Sequence, residues 1–139
     1  MKRVVLLVVA FCMLFLVACG GPKWDEIFQL QVVEESVLLD QYLNGEIDNY
    51  ELEYDYDIYE ITNTTSKTYR DVTVVVTIHN SPLVGKDYDF SYESYIGTIK
   101  PGETVEYRLL MSDVYEAEEE SGKELSFADI EISEIKFSE

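Results

Sequence analysis

The spacing of apolar residues along the chain changes twice. Val4 to Ala18 is an unbroken apolar run behind Met1, Lys2 and Arg3. From Trp24 to Leu43, apolar positions recur at steps of three and four: Ile27, Leu30, Val33 and Val37, then Phe28, Val32, Leu39 and Tyr42. That spacing predicts an α-helix with a broad apolar face, stopped by Asn44-Gly45. The β-branched Val32-Val33 pair works against a helix. A strand through Phe28, Leu30 and Val32, followed by a shorter helix, is therefore the alternative.

Beyond Gly45 the period becomes two. Val72, Val74, Val76 and Ile78 alternate with polar neighbours, except for Val75 on the outer face. Tyr88, Phe90 and Tyr92 alternate with acids and Ser91, and Val105, Tyr107, Leu109 and Met111 form another such row. Each predicts a half-buried antiparallel strand. Turn-forming clusters separate them at residues 63–67, 79–86 and 100–103. Ile130 and Ile132 lie in opposite phase to Ile135 and Phe137, which predicts a bulge near Ser133-Glu134. In the stretch 50–58, Tyr50, Leu52, Tyr54, Tyr56 and Ile58 share one parity and are expected inward, with Glu51, Glu53, Asp55 and Asp57 outward. Tyr59 and Ile61 reverse that phase, so a second bulge is expected before Asn63. Five or more short strands with no helices between them give a mainly β fold, an antiparallel β-sandwich preceded by an N-terminal α-helix.

The apolar run has a different meaning. A basic start and about 15 apolar residues constitute a secretory signal, short for a membrane span. Leu16-Val17-Ala18-Cys19-Gly20 resembles the bacterial lipobox. It implies diacylglyceryl transfer to the Cys19 thiol and cleavage between Ala18 and Cys19. The chain then divides into a signal peptide (1–18), a lipidated cysteine and short tether (19–23), an N-terminal helical segment (24–45) and the sandwich (46–139). Cys12 leaves with the signal, so Cys19 is the only cysteine of the mature chain and no internal disulfide is expected. Position 20 is Gly and not Asp, the retention residue of Gram-negative inner membranes. The expected location is the extracytoplasmic face of a membrane, Gram-positive for preference, or the outer membrane of a Gram-negative cell.

Charge narrows the partners. The chain carries 10 basic and 28 acidic residues. Without Lys2 and Arg3 the mature net charge is about −20. Nucleic acid is excluded as a partner, because phosphate binding draws on Lys and Arg. Anionic lipid would repel such a surface, so the domain is expected to stand off the membrane on its tether. A basic envelope protein or a cation fits instead. Asp55 and Asp57, two apart on one strand, and Asp87 and Asp89 are the candidate cation-binding carboxylates, with calcium as the cation their chemistry suits. The acid run Glu116 to Glu120 predicts a solvated loop. His79, the only histidine, lies near Ser81, but the spacing suggests neither an orienting acid nor an oxyanion hole. No catalytic set, resident metal or enzyme activity is expected. Trp24 suits a membrane interface.

Residues 61–78 (ITNTTSKTYRDVTVVVTI) and 97–109 (GTIKPGETVEYRL) resemble the FxLYD family of immunoglobulin-like domains. Asn63, Thr64, Ser66, Lys67, Asp71 and Val72 carry the first half of the resemblance; Gly97, Ile99, Pro101, Gly102, Glu103 and Tyr107 carry the second. Where the family has Leu-Tyr-Asp, this chain reads Ile78-His79-Asn80. The resemblance covers residues 50–111 and implies an Ig-like sandwich on a bacterial surface lipoprotein, with no catalytic residues to carry over. Locally, Pro101-Gly102 fits a type II turn, and Asn63 with its hydroxyl neighbours fits a side-chain-capped turn.

Overall fold

The computed structural model describes residues 21–36, 38–48, 55–80, 88–125 and 129–139. Ala18, Cys19, Asp87, Ser81 and the 49–54 stretch lie outside the described residues. The elements run α1 (Trp24–Ile27), β1 (Phe28–Glu34), α2 (Leu38–Leu43), β2 (Tyr56–Asn63), β3 (Tyr69–His79), β4 (Phe90–Ile99), β5 (Thr104–Leu110), α3 (Met111–Ser121) and β6 (Asp129–Ser138). They form two three-stranded antiparallel sheets, ordered β1-β2-β5 and β4-β3-β6. The inner faces of both sheets contribute to one core. The fold is mainly β, as the period-two pattern requires.

The N-terminal helical segment is corrected. Among the described residues of this segment, only Trp24–Ile27 and Leu38–Leu43 are helical, and Phe28–Glu34 between them is a strand. Pairing decides this: Phe28, Leu30 and Val32 sit opposite Asn63, Ile61 and Tyr59. Phe28 is thereby fully buried at 2% exposure. A helix would satisfy its own backbone but could not add an edge to this sheet. The β-branched pair, crowded in a helix, is at ease here. Burial fades along the strand, so that Val32 and Val33 end exposed.

The phase of β2 is also corrected. Tyr59, Ile61 and Asn63 point to the core, and with them Asp57 and Asp55; Tyr56 lies outside. The β2–β5 register runs unbroken from Tyr56↔Leu110 to Thr62↔Thr104, so the bulge expected before Asn63 is not there. The irregularity lies instead on β1, between Val32 and Glu34. Tyrosine misled the pattern because its ring can lie on a surface: Arg108 stacks over Tyr56 at 5.5 Å from the ring centroid.

Other expectations hold. Val72, Val74, Val76 and Ile78 are wholly buried, whereas Val75, set apart as the exception on the outer face, is covered too and not left to solvent. The β3–β6 register jumps from Val75↔Glu134 to Val76↔Ile132, leaving Ser133 as the extra residue. Its hydroxyl meets Thr77 Oγ1 at 2.7 Å. At Lys100–Glu103, Gly102 takes φ +73° and the Glu103 amide donates to Lys100 O at 3.0 Å, as a type II turn demands.

Asn63 holds one end of the two sheets together. It is completely buried. Its Nδ2 donates to Lys67 O (2.7 Å) and Ile99 O (3.2 Å), while Oδ1 accepts from the Thr65 amide (3.0 Å) and hydroxyl (2.8 Å). Its backbone accepts from Gly102 N and donates to Glu103 O. The 64–68 turn, held by its side chain, and the 100–103 turn, held by its backbone, are thus clasped through one residue. Beside them Phe28, Tyr69 and Phe137 meet edge to face, with centroids 5.2–5.9 Å apart.

The expected acidic loop is a helix. Met111, Val114 and Ala117 are buried at helical spacing, and Gly122 closes α3 in the left-handed conformation at φ +69°. Its amide donates to Glu118 O at 3.1 Å. The acids occupy the outer face of a helix whose apolar stripe lies on the core. Among the described residues, no helix is long and apolar enough to cross a membrane.

Candidate functional site

Antiparallel register divides the two sheets into two ends. At one end lie α1, the 64–68 and 100–103 turns and the C-terminus; this will be called the near end. The far end receives the connections β1–β2, β3–β4 and β5–β6, the last of them carrying α3. The dividing level passes through Val32, Tyr59 and Tyr107 in one sheet and Val74, Ser94 and Ile135 in the other. Among described side chains, the near half holds five cations (Lys23, Lys67, Arg70, Lys100 and Lys136) and seven carboxylates. The far half holds two cations, Arg108 and Lys123, and seventeen carboxylates. The net is about two negative charges in one half and about fifteen in the other. The acidity inferred from composition is therefore a property of one pole.

At that pole, His79 ends β3 on the outer face of its sheet. Its Nδ1 lies 3.1 Å from Asp89 Oδ2, at the start of β4, and its Nε2 lies 2.8 Å from Glu131 Oε1 on β6. One imidazole thus links all three strands. Both carboxylates favour the imidazolium, Glu131 most, and raise the His79 pKa above its ordinary 6.5. Asp89 is held low, first by the Asn80 amide donating to Oδ1 at 2.9 Å and then by His79. Lys123 Nζ donates to Asp89 O at 2.8 Å, and Asn80 Nδ2 donates to Glu124 O at 3.0 Å, tying the end of α3 to this corner.

The sign of the pH effect follows. A histidine with a raised folded pKa stabilises the fold fully below 6.5, and that contribution is lost as pH rises through the folded value. The ring is about two-fifths exposed, so solvent screening keeps the effect small. Between pH 6 and 8.5 the wild type should lose more stability than a His79→Gln variant, measured as urea midpoints. Parallel pH profiles would show that the bridge is not formed in solution.

A shallow groove of about 310 Å³ lies between β4 and α3, lined by Tyr92, Ser94, Glu93, Asp113, Glu116 and Glu120. Burial raises the pKa of Tyr92 above it, and of Tyr107, whose hydroxyl donates to Ser94 Oγ at 3.1 Å. Both phenols are therefore neutral, and the groove's charge comes from its carboxylates alone.

Of the predicted cation-binding residues, Asp87 lies outside the described residues, and Asp89 is not brought to Asp55 and Asp57. Asp55 is 6% exposed and faces inward, not outward on the sheet. Asp57 Oδ1 accepts the Ser36 amide at 2.8 Å and fixes the β1–β2 connection. Asp89 is engaged by His79 and Asn80. Among the described residues, no three His, Cys, Asp or Glu side chains converge as metal ligands do. Sequence reasoning missed the His79–Asp89–Glu131 bridge because its members are up to 52 residues apart. The alternation of β3, β4 and β6 was legible, but the strand order that makes them neighbours was not. No family model, curated protein or solved structure matches the chain.

Proposed function

We propose that this chain is a lipid-anchored, extracytoplasmic immunoglobulin-like module of the bacterial envelope, acting in binding or assembly and not in catalysis. One observation carries the reading. The lipobox cysteine is followed within five residues by α1, which is already packed against β6, so a lipid on Cys19 would hold the whole two-sheet body at the envelope surface. The strand order supports the Ig-like part: β1-β2-β5 corresponds to strands A-B-E and β4-β3-β6 to C′-C-F of such a sandwich. The FxLYD-like residues support it too, since Asn63, Pro101 and Gly102 build the clasp between its turns.

Replacing Cys19 by Ala tests the anchor. The variant should appear in the medium or persist as an uncut precursor. Recovery of processed, membrane-bound protein would refute lipidation at this position.

A second reading, an accessory lipoprotein that takes calcium or a cationic ligand, is favoured by the carboxylate-lined groove beside α3. In the module reading, millimolar calcium leaves the melting temperature unchanged to within about a degree, whereas binding at [L] well above Kd raises it by several degrees. A shift abolished by Glu116→Gln with Glu120→Gln would decide for the second reading.

A further inference from the structure

The near end combines three features: the shortest path to the lipobox cysteine, a charge close to zero, and exposed lysines in both of its turns. We propose that this end rests on the phospholipid headgroup layer, with the acidic pole directed away from the bilayer; the proposal rests on the anchoring reading above. Four peptide steps separate Cys19 from Lys23, which at 3.3–3.6 Å per residue allows roughly 14 Å at most. The β3 strand, Tyr69–His79, is roughly 33 Å long at about 3.3 Å per residue. The surface field of an anionic membrane decays over about 8 Å at physiological salt. The tether therefore holds the near end within reach of that field, and the length of the strands carries the far half out of it.

Charge placement decides which way the body turns. Inverting the domain would bring about fifteen net negative charges toward anionic lipid, against about two for the upright arrangement. The near end also offers contacts. Lys67 and Lys100 are exposed in the two clasped turns and Lys23 is exposed beside α1, while Trp24 lines an open groove with Lys136 and Phe137. Lys67 is paired with Glu139 and Lys136 with Glu93, so this is a neutral footing and not a basic patch. Repulsion of the opposite pole supplies the orientation, and the lysines and Trp24 supply local headgroup contacts. The net charge of the whole chain, which alone predicts a domain held off the membrane, is thus overruled by where the charge sits.

The test uses the full, lipidated protein in vesicles containing about a third anionic lipid. With Cys19 acylated and the signal removed, a cysteine introduced by Ser66→Cys or Glu119→Cys is the sole free thiol. Each is labelled with a fluorophore, and quenching by headgroup-borne nitroxide is read. Quenching at position 66 should exceed that at 119 at least threefold, and the ratio should fall toward one in Lys67→Glu/Lys100→Glu protein or in molar salt. Equal or inverted quenching in protein that floats with the vesicles overturns the orientation and leaves the anchor intact. Protein that does not float overturns the anchor, and the orientation with it.

Discussion

Asn63→Leu should lower stability by about 3–5 kcal/mol and the melting temperature by roughly 10–20 °C. Leucine has the branching and heavy-atom count of asparagine, with a somewhat larger volume, but neither donates nor accepts. Its introduction would leave the Ile99 carbonyl without its partner in the core and would strip Lys67 O and the Thr65 amide of theirs. Each buried group so orphaned costs about 1–3 kcal/mol, more than the bond itself contributes. Asn63→Asp is the sharper variant. It retains the acceptor facing Thr65 but replaces the amide donor with a charge directed at two carbonyl oxygens. It should be at least as damaging at neutral pH and partly relieved in acid, when the carboxyl is protonated. Urea unfolding followed by Trp24 fluorescence measures both. A loss below about 1 kcal/mol for both variants would show that the clasp contributes little.

Phe28→Ala should cost about 3–5 kcal/mol, the range for emptying a buried aromatic site. Phe28 opens β1 opposite Asn63 and forms two of the three edge-to-face contacts with Tyr69 and Phe137. Truncation removes the one fully buried side chain of this edge strand. Leu30 beyond it is already half-buried and Val32 is exposed. The neighbouring Gln29→Ala change, on the outer face, should alter stability by less than about 0.5 kcal/mol. A helix through 24–45 would align Phe28 with Val32 and Leu39 and give a different contrast, so the pair of variants also tests the strand assignment. Equal effects at 28 and 29 would count against it.

Which parts of this structure were legible in the sequence has a physical logic. The period-two row from Val72 to Ile78 was clear because that strand is central, its inner residues entirely buried, and a slip of one residue would expose all of them. The Ser133 bulge was clear because two well-phased apolar pairs flank it. Edges carried less information. In β1 only the first residues are buried, so a short alternation competed with an equally good helical spacing. In β2 the rows of tyrosine and acid concealed the phase, because tyrosine is at home on either face, and the buried Asp55 and half-buried Asp57 ran against the usual sorting of charge. The signal for α3 was present in Met111, Val114, Tyr115 and Ala117 with Gly122 after them, but five acids in the same stretch obscured it. The His79 bridge and the charge polarity depended on strand order, which no local pattern encodes. Each carboxylate was visible in the sequence; their gathering at one pole was not.

The clasp at Asn63 has a consequence for how such a chain can vary. The two turns it joins are four or five residues long, and each fixes the other's length through shared hydrogen bonds, so an insertion in either would break both. The three far-end connections are longer, and Asn80 ties two of them only near their ends, at Tyr88 O and Glu124 O. Natural or laboratory diversity should therefore accumulate at one pole: a conserved plinth under a variable crown, with new partners acquired through length and composition changes in the crown alone.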